Sequence, residues 1–270
     1  MQSETSGETS GETGGLSSGT VAYVTGAAGG IGAAICRTLA EQGVHVAAAD
    51  RDAERLALAV KELTRDGLAA TAFPVDVTSS GDVDASVAAV EARLGPVDKL
   101  VNAAGVLRPG PALDISDDDW ATTFAVNVSG VFHVSRAVVG RMRERGRGAV
   151  VTVASNAAAV ARSGMAAYAA SKAAVTSFTK SLGLEVARHG IRCNVVAPGS
   201  TDTPMLSALW NGGDWARASI DGAPEAYRVG IPLGKVATPA DIADAVLFLL
   251  SDRAGHVTMH SLTVDGGATL

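Results

Sequence analysis

From residue 20 onward, short apolar runs alternate with longer helical stretches, and no other feature of this chain restricts its fold as strongly. TVAYVT (20–25), VHVAAAD (44–50), ATAFPVD (70–76), KLVNAA (99–104), GAVVTVAS (148–155), IRCNVVAP (191–198) and SLTVD (261–265) read as strands. Most are apolar throughout rather than alternating in polarity, the pattern of strands covered on both faces. The segments 30–42, 52–66, 81–94, 116–145 and 164–188 are long enough to be crossover helices. Thr238-Pro239-Ala240-Asp241 supplies an N-cap, a proline at the first helical position and an early acid for a last helix ending near Ser251. The pattern predicts α/β architecture: a doubly wound, seven-stranded parallel sheet with helices on both faces, in one domain over 20–270. Residues 1–19 differ. SGETSGETGG is too poor in large apolar groups to offset its ordering entropy, so a disordered low-complexity tail is expected there.

Composition removes several classes of function. The net charge is −6 and no long basic run occurs, so nucleic acid is not an expected partner. AVLFLL (245–250) is about the longest apolar run, far short of the roughly 18 residues of a membrane span. The first charges are Glu4, Glu8 and Glu12 with no apolar segment behind them, unlike a secretory signal. Cys36 and Cys193 are too few for a disulfide framework, which points to a reducing, cytoplasmic setting. The five histidines, at 45, 133, 189, 256 and 260, show no ligand spacing, so no metal site is expected.

After the first strand comes Thr25-Gly26-Ala27-Ala28-Gly29-Gly30-Ile31-Gly32, opening a helical pattern. Glycines there permit a tight turn and close approach of a pyrophosphate to the backbone, while the helix N-terminus offers unpaired N–H groups. Asp50, eighteen residues after Gly32, ends the second strand. A carboxylate at that place accepts from an adenosine ribose and repels a 2′-phosphate, favouring NAD over NADP. Arg51 is the complicating neighbour, since a base could accept that phosphate, but Ala27 and Ala28 put none in the glycine loop. Asp76-Val77 and Asn102-Ala103-Ala104-Gly105 close the third and fourth strands, where they can line a nucleotide or serve as turn chemistry.

Ser155 ends the fifth strand, and Tyr168 and Lys172 share one face of the helix that follows. An ammonium beside a phenol favours phenolate, which predicts a pKa below the usual value of about 10. Such a phenol can take the proton of an alcohol while hydride leaves its carbon, with Ser155 orienting the oxygen. Asn127 lies amid apolar residues inside the 116–145 stretch, where an amide needs partners. It can hold a local helix irregularity and a water relaying protons toward Lys172, or be a packing residue.

TGAAGGIG, Asp50, NAAG, Asn127, Ser155, YAASK and Pro198-Gly199 together resemble the short-chain dehydrogenase/reductase family over residues 20–270. The resemblance implies a Rossmann-like fold, a catalytic set of Ser155, Tyr168 and Lys172 extended by Asn127, and Lys172 holding the nicotinamide ribose. It adds Pro198, Gly199, Thr201 and Thr203 to the cofactor-binding set, and implies homotetramers formed through the helices of 116–145 and 164–188. NAAGVLRPG, FAVNVSGVF, ARSGMAAYAASKAA and IRCNVVAPGSTDTPMLSALW are similar to the bacterial 2,3-dihydro-2,3-dihydroxybenzoate dehydrogenases, which supply a catechol siderophore precursor. That implies NAD-dependent oxidation of the C3 alcohol of a small anionic cyclohexadiene carboxylate, followed by enolisation to an aromatic ring. Arg108 and Arg162 flank the expected reaction site and can bind the ring carboxylate. Met205 and Trp210 belong to a stretch after Gly199 that reads either as a lid over the ring or as a packed helix pair. Three other activities stay open: the same oxidation on trans-2,3-dihydro-3-hydroxyanthranilate, reduction of a 3-oxoacyl carrier-protein thioester, and nucleotide binding without turnover.

Overall fold

The computed structural model of the chain describes Leu16, residues 19–207 and residues 214–269. In chain order it forms β1 (Val21–Thr25), α1 (Gly30–Glu41), β2 (His45–Asp50), α2 (Ala53–Arg65), β3 (Ala70–Pro74), α3 (Ser80–Leu94) and β4 (Val97–Asn102). There follow α4 (Asp117–Phe124), a π-helical turn (Ala125–Ser129), α5 (Gly130–Arg145), β5 (Gly148–Val153), α6 (Ala166–Val186) and β6 (Ile191–Pro198). Two short helices, α7 (Pro204–Ser207) and α8 (Trp215–Asp221), precede α9 (Pro239–Leu250) and β7 (Ser261–Val264).

All seven strands pair in parallel, in the order β3-β2-β1-β4-β5-β6-β7. β1 has β2 on one side and β4 on the other, so the winding direction reverses there. The crevice outside the carboxyl ends of the strands at such a reversal is where doubly wound sheets bind ligands. Unbroken apolar strands are explained by cover on both faces. Ala22 and Val24 of β1 point into a core shared with Ile35 and Leu39 of α1 and Val246 and Leu250 of α9. Val21 and Tyr23 point into a second core with Val87 and Val90 of α3, Val134 and Val138 of α5, and Val186 of α6.

Local chemistry fixes several boundaries. The Thr238 hydroxyl accepts from the Asp241 N–H and the Asp241 carboxylate accepts from the Thr238 N–H, a reciprocal cap that starts α9 where the sequence predicts it. The predicted helix over 116–145 is interrupted by the π turn around Asn127, whose widened backbone is a feature often found at functional sites. Leu16, assigned to the tail by composition, is only 9% exposed and belongs to the first core, so ordered packing begins before residue 20. Among the described residues, no helix is long and apolar enough to cross a membrane, and no group of three or more His, Cys, Asp and Glu is placed to hold a metal ion.

Candidate active site

A cleft of about 680 Å³ opens at the carboxyl ends of the strands, running from Asp50 past the glycine loop to Tyr168 and on to α8. Its floor depends on two glycines. Gly26 has φ +70°, and a Cβ there would lie 2.7 Å from Ala104 N; a Cβ on Gly32 would overlap the Gly26 carbonyl oxygen. The Thr25 hydroxyl accepts from Ala103 N at 3.1 Å and Ala104 N at 3.2 Å, tying this loop to the end of β4. Gly29 caps α1 without any side-chain hydrogen bond, leaving the first N–H groups of the helix free for an anion.

Asp50 sits at the edge of this loop. Its carboxylate accepts from Ala28 N and Asp52 N, each at 3.1 Å. Arg55 lines the same end, where its Nη2 donates to Ala28 O at 2.9 Å. A glycine cradle, an uncapped helix start and a strand-end carboxylate together match the shape and chemistry of a dinucleotide.

At the other end, Ser155 follows β5 with an extended backbone, and its Oγ accepts from Ala157 N at 3.2 Å. Tyr168 and Lys172 are one turn apart on α6. Lys172 is 5% exposed; its ammonium donates to Val153 O at 2.9 Å and lies 5.6 Å from the centre of the Tyr168 ring. Burial lowers the Lys172 pKa to about 8. Burial also raises the Tyr168 phenol above its ordinary value, with the nearby Ser155 hydroxyl pulling it back. The expected lowering of the phenol by Lys172 does not appear: burial raises it, Ser155 is the group that pulls it back, and the ammonium is turned to a backbone carbonyl.

The buried ammonium has a measurable consequence. Below pH 8, Lys172 is charged in the folded and the unfolded chain alike, and burial works against folding in full. Between about 8 and 10.5 only the unfolded chain keeps the proton, so stability rises with pH across that window. Relative to Lys172→Met, the parent protein should therefore gain up to about 3 kcal/mol from pH 7 to 10. Denaturant titration of both proteins at several pH values measures this; a pH-independent difference contradicts the assignment.

A family model described as "short chain dehydrogenase" matches residues 20–213. The chain belongs to the short-chain dehydrogenase family. It is 55% identical to the 2,3-dihydro-2,3-dihydroxybenzoate dehydrogenase of Bacillus subtilis (strain 168), covering 93% of this chain and 97% of that one. It is 43% identical to the enzyme of the same name from Escherichia coli (strain K12), covering 94% and 98%. The crystal structure of a gluconate 5-dehydrogenase from Burkholderia cenocepacia J2315 in complex with NADP and tartrate superposes with a TM-score of 0.86 at 34% identity, covering 94% and 96%. As a short-chain dehydrogenase the chain is an oxidoreductase acting on a CH–OH donor with a nicotinamide cofactor.

Within this short-chain dehydrogenase the cleft brings together most residues singled out in the sequence. Gly26, Gly30, Ile31, Gly32, Asp50, Arg51, Asp76, Val77, Ala103, Ala104 and Gly105 line the nucleotide half. Ser155, Tyr168, Lys172, Pro198, Gly199, Thr201, Thr203, Met205 and Arg162 line the remainder. Asp76 also accepts from the Thr78 N–H and hydroxyl, which holds its pKa down and shapes the entry to α3.

Three residues are placed differently. Asn102 points into the protein: it is 2% exposed, and its Nδ2 donates to Ser135 Oγ at 3.0 Å, so it braces β4 from within. Arg108 lies outside the cleft, where its Nε pairs with Asp119 Oδ1 at 3.5 Å; three consecutive acids opening α4 make that the nearer anion. Asn127 stands one layer behind the wall. Its Oδ1 accepts from Val106 N at 2.8 Å, and its Nδ2 donates to Val106 O and Ser171 Oγ, each at 3.0 Å. Its Oδ1 and the Lys172 ammonium flank Gly105, each 3.4 Å from where a Cβ would stand. Trp210 lies outside the described residues. Sequence reasoning missed Arg55, Ser219 and Arg228, all in the lining. Arg55 was detectable, lying in the first turn of α2, five residues beyond Asp50; Ser219 and Arg228 sit where no periodic pattern leads to the cleft.

Proposed function

We propose that this protein oxidises the C3 alcohol of 2,3-dihydro-2,3-dihydroxybenzoate with NAD, and that the product becomes aromatic 2,3-dihydroxybenzoate. The observation carrying this reading is a half-buried tyrosine beside Ser155 and Lys172, lining the cleft, in a chain 55% identical to a dehydrogenase of that name. Gly26, Gly30, Ile31 and Gly32 would hold the pyrophosphate, Asp50 the adenosine ribose, and Lys172 the ribose next to the reacting ring. Asp76, Val77 and the Ala103–Gly105 turn would frame the rest, with Pro198, Gly199, Thr201 and Thr203 closing over it. A bound nicotinamide supplies the hydride acceptor.

The chain's own groups handle the proton. Tyr168 accepts it from the C3 hydroxyl, Ser155 fixes that hydroxyl by hydrogen bonding, and the Lys172 ammonium stabilises the phenolate by charge. Because burial holds the phenol high, the phenolate fraction and the rate rise with pH through the neutral range, until Lys172 loses its charge near pH 8 and with it the stabilisation of the phenolate. Asn127 holds Val106 and Ser171 and thereby keeps the β4 end and α6 in register beside Lys172. Loss of the C2 hydrogen from the resulting ketone gives the aromatic ring and draws the oxidation forward. Asp50 supports NAD over NADP, because a 2′-phosphate beside a carboxylate is repelled. Exposed Trp120 on α4, Phe132 on α5 and Leu184 on α6 support a homotetramer built through these helices.

The test mixes purified protein and NAD with each of two dienes, bearing hydroxyl or amino at C2. Aromatic absorbance should grow with a kcat/KM at least about ten-fold higher for the hydroxyl compound. A preference for the amino compound, or no turnover of either, overturns the proposal.

A further inference from the structure

The cleft does not end at Tyr168. It continues to a polar wall that the proton transfer above leaves unused, formed by Arg162 between β5 and α6, Ser219 on α8, and Arg228 in the loop after α8. Ser219 is 2% exposed, yet its hydroxyl has no hydrogen-bond partner among the described residues. The Nε of Arg228 is likewise buried and unpartnered. Arg162 makes one long bond, from Nη2 to Ala268 O at 3.4 Å. Burial and the charge of Arg228 both press its pKa down, with Asp265 opposing them, so the two guanidiniums share one region. Asp265 is the acid nearest in effect, but its carboxylate already accepts from Asn156, Gly267 N and Thr269.

Arg228 is also held firmly. Its N–H donates to Ala223 O at 2.9 Å, and its carbonyl accepts from Ala223 N at 3.0 Å, closing a tight loop. Tyr227, just before it, has φ +52°, a left-handed backbone rare for a bulky residue. Two cations that act on one another and a buried hydroxyl, each short of acceptors and all lining one cleft, call for an anion with two oxygens, and a planar carboxylate matches a guanidinium edge.

We propose that Arg162, Arg228 and Ser219 form a carboxylate pocket that holds the ring carboxylate of the substrate and thereby selects which ring alcohol meets Tyr168. This rests on the function proposed above for the identity of the acid, and it replaces Arg108 with Arg228 as the partner of Arg162.

The experiment measures binding by calorimetry as well as turnover. The probes are benzoate and 2,3-dihydroxybenzoate, with catechol as the same ring lacking a carboxylate. Arg228→Met and Arg162→Met should each weaken both acids about ten- to hundred-fold and leave catechol unchanged. Ser219→Ala should weaken the acids by a smaller factor. With the diene acid, KM should rise with kcat nearly constant, while a dihydrodiol lacking the carboxylate is oxidised as by the parent. Should Arg228→Met fail to fold, Arg228→Lys keeps the charge without the planar fork and should show an intermediate loss. Unchanged affinity for both acids, or equal loss for catechol, overturns the pocket. If the arginine variants lose the acids but the parent oxidises neither diene, the pocket stands and the assigned reaction falls.

Discussion

Tyr168→Phe should lower kcat/KM by about three to four orders of magnitude while cofactor affinity stays within a factor of about three. The substitution removes one hydroxyl and leaves the ring that fills the wall beside Lys172. No other group beside it is equipped to replace it: Ser155 is a hydroxyl without an adjacent base, and the Lys172 ammonium, which donates to Val153 O, is already protonated and cannot accept the proton. Steady-state kinetics together with fluorescence titration of the reduced cofactor measures both quantities. In the parent, kcat/KM should rise with pH up to about 8, because only the phenolate can accept the proton, and stop rising where Lys172 loses the charge that stabilises it. A variant that retains a tenth of the activity would remove Tyr168 as the base.

Asp50→Ser should shift the preference for NAD over NADP, expressed as the ratio of kcat/KM values, by about a hundred-fold or more toward NADP. Two effects add. The carboxylate no longer repels a 2′-phosphate, and a charge-assisted bond to the ribose hydroxyl, worth about 1.5–3 kcal/mol, is lost for NAD. Arg51 and Arg55 remain in the lining at that end of the cleft, ready to meet the phosphate. Serine is chosen over alanine because a hydroxyl can still accept from Ala28 N, the bond by which Asp50 holds the glycine loop. Kinetics with each cofactor at a fixed alcohol concentration decide it; an unchanged ratio means that discrimination lies elsewhere.

Sequence reading succeeds here where one residue's role is set by its immediate neighbours. Continuous apolar strands announce two covered faces, and Ala22/Val24 against Val21/Tyr23 divide between two cores accordingly. A glycine loop joining β1 to α1 announces a backbone too close to its neighbours for side chains, as the surroundings of Gly26 and Gly32 bear out. Reading fails where orientation depends on distant partners. Asn102 and Ala103 are adjacent at a strand end, but the pleat turns the first inward to Ser135 and leaves the second at the cleft. Arg108 carries the right charge near the right turn, yet the start of α4 brings Asp119 within reach of it. Arg228 reaches the cleft only because a tight loop folds back on α8, through contacts that no spacing rule encodes. The phenol illustrates the same limit in energetics: proximity of Lys172 was legible at four residues' spacing, whereas the stronger opposing effect of burial required the packed ring.

In the proposed reaction, hydrogen leaves C3 of the diene acid as hydride while its hydroxyl proton goes to Tyr168. Substrate deuterated at C3 follows that hydrogen. The deuterium should be recovered on the reduced nicotinamide, with one reduced cofactor formed per aromatic product and turnover slowed by the label. Recovery of the deuterium in water, or an aromatic product formed without reduction of the cofactor, would contradict it.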